Sequence, residues 1–82
     1  MQHPSDLITA WLAALPGAPM IAPDTALIEQ GILDSIELLN LIAFLEERFG
    51  IALPAEAFVP EHFETPNAII ALVTTLRAAE AA

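Results

Sequence analysis

Asp34-Ser35-Ile36-Glu37, set directly before Leu38-Leu39, is the place in this chain where a hydroxyl, flanking acids and a helix start coincide. A serine at a helix N-terminus meets free backbone N–H groups and the positive end of the helix dipole, which suits a phosphoester. The same four residues also read as a cap: Asp34 or Ser35 can accept an orphan N–H, and Glu37 stands three residues beyond Asp34 as in a capping box. Other chemistry finds little support. The chain has no cysteine, so neither a thiolate nucleophile nor a disulfide nor a Cys-based metal site is available. His3 and His62 are the only imidazoles, far apart in the chain, and no metal site is expected of them. G-x-S-x-G is absent, although a contact between His62 and Ser35 in the fold stays open at this point. Glu46 and Glu47 are adjacent on a helix and point about 100° apart, so they are not a facing acid–base pair. No catalytic residue set emerges, and the chain is not expected to be an enzyme.

The elements that must position Ser35 are helical. Leu7, Ile8, Trp11, Leu12 and Leu15 form an apolar stripe, opened by Pro4 and ended by Pro16-Gly17. From Pro16 to about Asp34 the prolines and glycines forbid one regular element, so a long ordered crossover is expected, pinned by Leu27, Ile28, Ile32 and Leu33. The second helix runs from the Asp34-Ser35 start to Phe49, and Gly50 stops it. At about 100° per residue its core arc holds Leu38, Ile42, Leu45 and Phe49, flanked by Leu39 and Leu41. The opposite ridge reads Ile36, Asn40, Ala43 and Glu47, with Glu37 and Phe44 beside it. Pro54 and Pro60 then restrict the chain to short turns, with Phe58, Val59 and Phe63 as anchors for a single-turn helix near Glu61 to Phe63. Thr65-Pro66 caps and opens a last helix carrying Ile69, Ile70, Leu72, Val73 and Leu76, with Arg77 near its C-terminus to suit the dipole. The expected fold is all-α: a small four-helix bundle of three long helices and one short one, in a single domain over 1–82.

Composition narrows the function classes. Hydrophobic residues make up 56% of the 82, enough to close one core and exclude a disordered tail. Two cations, Arg48 and Arg77, against eleven acids give a net charge of −9. Such a surface repels nucleic acid and anionic lipid, favours a monomer, and draws partners that are basic where they dock. Leu7 to Pro23 is uncharged, yet it has no basic flank and is broken by Pro16, Gly17 and Pro19, so neither a signal peptide nor a membrane span is expected. The absence of cysteine makes the cytoplasm the default compartment.

Leu27-Ile28-Glu29-Gln30-Gly31-Ile32-Leu33-Asp34-Ser35-Ile36, followed by Glu37-Leu38-Leu39, resembles the attachment motif of phosphopantetheine-dependent carrier proteins. Leu45-Glu46-Glu47-Arg48-Phe49-Gly50-Ile51, Leu53-Pro54, and Thr65 with Ala68-Ile69 extend the resemblance over roughly Leu27 to Val73. It implies that Ser35, beside Asp34, receives 4′-phosphopantetheine from coenzyme A through a separate Mg²⁺-using phosphopantetheinyl transferase. The terminal thiol of that arm would hold an acyl or aminoacyl group as a thioester, which a chain without cysteine must borrow. It implies further that Ile36, Asn40, Ala43 and Glu47, with Glu37 and Leu39 at the edges, dock the transferase, an activating ligase or acyltransferase, and a downstream acceptor enzyme. Fatty-acid synthase carriers often have Leu-Gly-Ala before Asp-Ser and an acid where this chain has Asn40; here Gly31-Ile32-Leu33 looks more like stand-alone D-alanyl or aminoacyl carriers. The expected function is therefore a stand-alone carrier of an aminoacyl or small acyl group. A fatty-acid or polyketide carrier is the near alternative, and an unmodified acidic interaction module is the alternative of another class.

Overall fold

Proline and short polar side chains set the starts of the long helices, and glycine ends one of them. The computed structural model describes residues 3–15 and 20–81. Helix α1 spans Pro4–Ala13, α2 spans Ser35–Phe49 and α3 spans Pro66–Ala81. Pro4 stands in the first turn of α1, where its missing N–H costs nothing. Gly50 ends α2 with φ 65°, a left-handed conformation in which a Cβ would be strained. At α3 the Thr65 hydroxyl accepts the Ala68 N–H at 3.1 Å and Pro66 begins the helix. Pro16, Gly17 and Pro19, expected to end α1 and open the crossover, lie outside the described residues.

The fold is all-helical, and among the described residues there is no strand. The single-turn helix expected near Glu61 to Phe63 takes the form of a 3₁₀ turn at Pro60–His62, preceded by a second 3₁₀ turn at Ala55–Ala57. Pro54 and Pro60 lack the N–H groups that a longer run of hydrogen bonds would need. These two turns form a strap between α2 and α3, held from within by His62 Nδ1 at 3.0 Å from the Ala57 carbonyl and fastened to α2 by the Leu53 N–H donating to Glu46 at 2.9 Å.

One core joins all the parts. Ile8 and Leu12 of α1, Leu41 and Leu45 of α2, and Ile69 and Val73 of α3 are fully buried, together with Leu27 and Phe63 from the connecting segments. Trp11, Leu15, Leu38, Ile42, Phe49, Ile70 and Leu76 pack around them, half-buried. The buried seam of α2 thus centres on Leu41 and Leu45. Leu39, expected at the flank of the core arc, is instead 68% exposed. Phe44, expected beside the outer ridge, turns inward and stacks on Trp11 with ring centroids 5.7 Å apart. Arg77, expected near the C-terminus to suit the dipole, sits a turn before the end of α3, which continues to Ala81, and lies over the Phe49 ring at 5.7 Å in a cation–π contact.

The crossover is ordered by Leu27. Its side chain is buried, its N–H donates to the Glu64 carbonyl at 2.8 Å, and its own carbonyl accepts from Ile32 and Leu33. A second tether runs from the Asn67 N–H to the Pro23 carbonyl at 3.0 Å, so the crossover is bound to the entrance of α3. Gly31 at φ 75° makes the turn that brings the chain back onto Leu27. Leu33 is buried and Ile32 half-buried as anchors, whereas Ile28 is exposed and does not pin the loop. Leu27→Ala should therefore cost about 2–5 kcal/mol in urea unfolding, while Ile36→Ala, changing an exposed side chain, should stay within about 0.5 kcal/mol.

Candidate functional site

Ser35 is the first residue of α2 and is exposed. The residue before it does the capping: Asp34 has extended backbone, its Oδ1 accepts the Glu37 N–H at 2.8 Å, and its carbonyl accepts the Leu38 N–H. The hydroxyl of Ser35 is thereby released from capping duty. The Ser35 and Ile36 N–H groups, in the first turn, have no carbonyl within the helix to bond. An anionic ester on Ser35 Oγ would lie at this end of the dipole, and the residues present fit such a group.

The capping box is only half formed. Glu37 does not reach back; its Oε1 accepts from the Asn40 side chain at 3.0 Å. That bond lays Glu37 and Asn40 flat along the helix next to Ile36. Ile36 is 71% exposed, and Leu39, Asn40, Ala43 and Glu47 are exposed with it, while Glu37 is half-buried. The helix therefore offers a surface strip running away from Ser35 that mixes apolar and polar residues.

Beside the strip lies an open groove of about 610 Å³, with Asp34 and Ser35 among its lining residues. Leu38, Leu39 and Ile42 form its α2 wall, Ile28 its crossover wall, and Phe58 and Val59 of the strap its outer wall. Ile28 and Phe58 are 37% and 49% exposed. The sequence pattern assigned both to loop anchoring, because apolar residues in a turn-rich segment give no period from which a facing direction could be read.

Charge is unevenly distributed around the serine. Glu29, Asp34 and Glu37 are near it in sequence, whereas Arg48 occupies the last turn of α2, about 20 Å along the axis at 1.5 Å per residue. The other cation, Arg77, is on the Phe49 ring at that far end. Among the described residues no three His, Cys, Asp or Glu side chains gather to hold a metal ion. His62, whose position relative to Ser35 the sequence left open, has its Nδ1 engaged with the strap.

Known proteins give the geometry its context. The model of a family described as "phosphopantetheine attachment site" matches residues 5–73. The D-alanyl carrier protein of Bacillus velezensis is 38% identical over 55 residues, covering 67% of this chain and 70% of that protein. The D-alanyl carrier protein of Streptococcus sanguinis is 41% identical over 54 residues, covering 66% and 68%. A solved chain from a structure described as "Crystal structure of FAD-dependent dehydrogenase" overlays with a TM-score of 0.71 at 32% identity, covering 87% of this chain and 99% of that one.

The division of labour between Asp34 and Ser35 has a measurable consequence. Asp34→Ala should lose about 1 kcal/mol, the usual worth of a cap, whereas Ser35→Ala should change stability by less than about 0.5 kcal/mol, both read by urea unfolding.

Proposed function

Because the chain belongs to the phosphopantetheine-attachment family, and so bears a covalent 4′-phosphopantetheine, we propose that Ser35 carries that arm and that this single domain works as a stand-alone carrier of an aminoacyl or small acyl group. The observation that supports Ser35 most directly is its free, exposed hydroxyl at the start of α2, with Asp34 taking the cap. When bound, the group supplies the thiol that the chain lacks, and a cargo is held there as a thioester. The relatives matched are carriers of D-alanine by name, which favours an aminoacyl cargo over a fatty-acyl one. Proteins so named are carriers and not enzymes, and in this reading all chemistry is done by partners: the phosphopantetheinyl transferase, an activating ligase and an acceptor enzyme. A reducing compartment such as the cytoplasm keeps the thiol of the arm free. No described helix is long and apolar enough to cross a membrane.

The strip of Ile36, Glu37, Leu39, Asn40, Ala43 and Glu47 is the docking surface in this reading. Ile36 and Leu39 supply apolar area beside the serine, and the acids orient basic partners, whose encounter slows as salt screens the attraction.

Incubation with coenzyme A, Mg²⁺ and a promiscuous phosphopantetheinyl transferase should add the mass of one phosphopantetheinyl group to the protein and none to Ser35→Ala. An unmodified wild-type protein that is fully helical would favour the acidic interaction module instead. Ile36→Asp should keep the helical circular dichroism spectrum and slow loading about tenfold, equivalent to about 1.4 kcal/mol; loss of the helical signal would instead show Ile36 to be part of the core.

A further inference from the structure

We infer that the strap opens as a unit and that the Glu46 carboxylate is the latch holding it against α2. The latch needs no group on Ser35 and so stands apart from the carrier reading. The backbone hydrogen bonds of the strap close within it: the Ala57 N–H donates to the Pro54 carbonyl at 2.9 Å, Phe58 to Ala55 at 3.1 Å and His62 to Val59 at 3.1 Å. His62 Nδ1, at 3.0 Å from the Ala57 carbonyl, braces the two turns against each other. A segment bonded in this way keeps its own hydrogen bonds when it moves as one body. Both of its ends are pinned. Leu53 is buried on one side and Phe63 on the other, where the neighbouring Glu64 carbonyl accepts the Leu27 N–H at 2.8 Å. Between these pins Ala57 is the only buried side chain, Val59 and His62 are half-buried, and the rest are exposed. One methyl group offers little apolar area to hold the middle down.

The fastening is therefore polar, and it lies at the first pin. Among the described residues, the 2.9 Å bond from the Leu53 N–H to Glu46 Oε2 is the only hydrogen bond joining this stretch to α2. It is partly buried and its acceptor is charged, which strengthens it, and its loss would strand the Leu53 donor. Glu46 is half-buried, whereas the neighbouring Glu47 is exposed in the surface strip. With the latch closed, Phe58 and Val59 face the α2 wall of the groove that Ser35 also lines. With it open, that side of α2 is uncovered next to the serine. Glu46 is thus a positioning residue, acting on the surroundings of Ser35 through the strap.

The chain has no cysteine, so one introduced thiol reports on one position. Ala57→Cys places it at the buried point of the strap and Val73→Cys in the fully buried core of α3, and the rate of reaction with a maleimide is measured for each after circular dichroism confirms the fold. Ala57→Cys should react at least about tenfold faster than Val73→Cys, because the strap opens without global unfolding. Adding Glu46→Ala to Ala57→Cys should raise its rate about tenfold further, the worth of a hydrogen bond to a charged group. Glu46→Gln, which keeps an acceptor oxygen at the same reach, should restore most of the protection. Equal rates for the two reporters would overturn opening as a unit. A rate that Glu46→Ala leaves unchanged, or that Glu46→Gln raises as much, would overturn the latch. If Ala57→Cys does not fold, Val59→Cys reads the effect of both Glu46 substitutions with the same expectations.

Discussion

The structure depends on the burial of Leu27. A crossover without regular hydrogen bonding has to be tied down at a few points, and this residue supplies an apolar anchor, a donor to the Glu64 carbonyl and an acceptor for two N–H groups at once. Everything immediately downstream inherits its place from that knot. Gly31 turns the chain, Leu33 re-enters the core, and Asp34 arrives with the extended backbone from which a helix can be capped. The serine is thus held at the surface by a buried residue eight positions before it. A long loop is ordinarily the mobile part of a small domain; here it is the part that fixes the site.

The second organising feature is the separation of roles between neighbouring residues. Asp34 satisfies an orphan donor, so Ser35 need not. On the next turn, Glu37 and Asn40 satisfy one another, so Ile36 and Leu39 stand exposed among groups whose polarity is already partly committed. At the far end of α2 the contacts are of another kind: Trp11 stacks on Phe44, Phe44 meets Phe49 edge-on, and Arg77 covers Phe49. That cluster joins the three helices by aromatic packing and keeps a cation away from the serine. The result is a molecule with an aromatic end and an acidic, apolar-faced end that is open for contact.

Much of this was legible in the residues. Period and punctuation located the three helices, because Pro4, Gly50 and Thr65-Pro66 act through local geometry that tertiary context rarely overrides. The exposure of Ile36, Asn40, Ala43 and Glu47 followed from the same period. What local pattern did not settle was direction within an arc. Leu39 sits at the edge of the apolar stripe, and whether an edge residue is covered depends on the neighbour that packs there; the strap stops short of it and leaves a groove. Ile28 and Phe58 were opaque for a related reason, since turn segments have no period. The single turn expected near Glu61 to Phe63 is a 3₁₀ turn at Pro60–His62, and a second turn at Ala55–Ala57 was not expected, because two prolines, which permit a helical start, also divide the segment into separate single turns.

The central claim is that the covalent arm sits on Ser35. Proteolysis of the loaded protein followed by fragmentation of the modified peptide tests it most directly. The phosphopantetheinyl mass should be found on the peptide containing Asp34-Ser35-Ile36 and assigned to the serine. A modified peptide from elsewhere in the chain, such as one containing Ser5 or Thr25, would contradict the account.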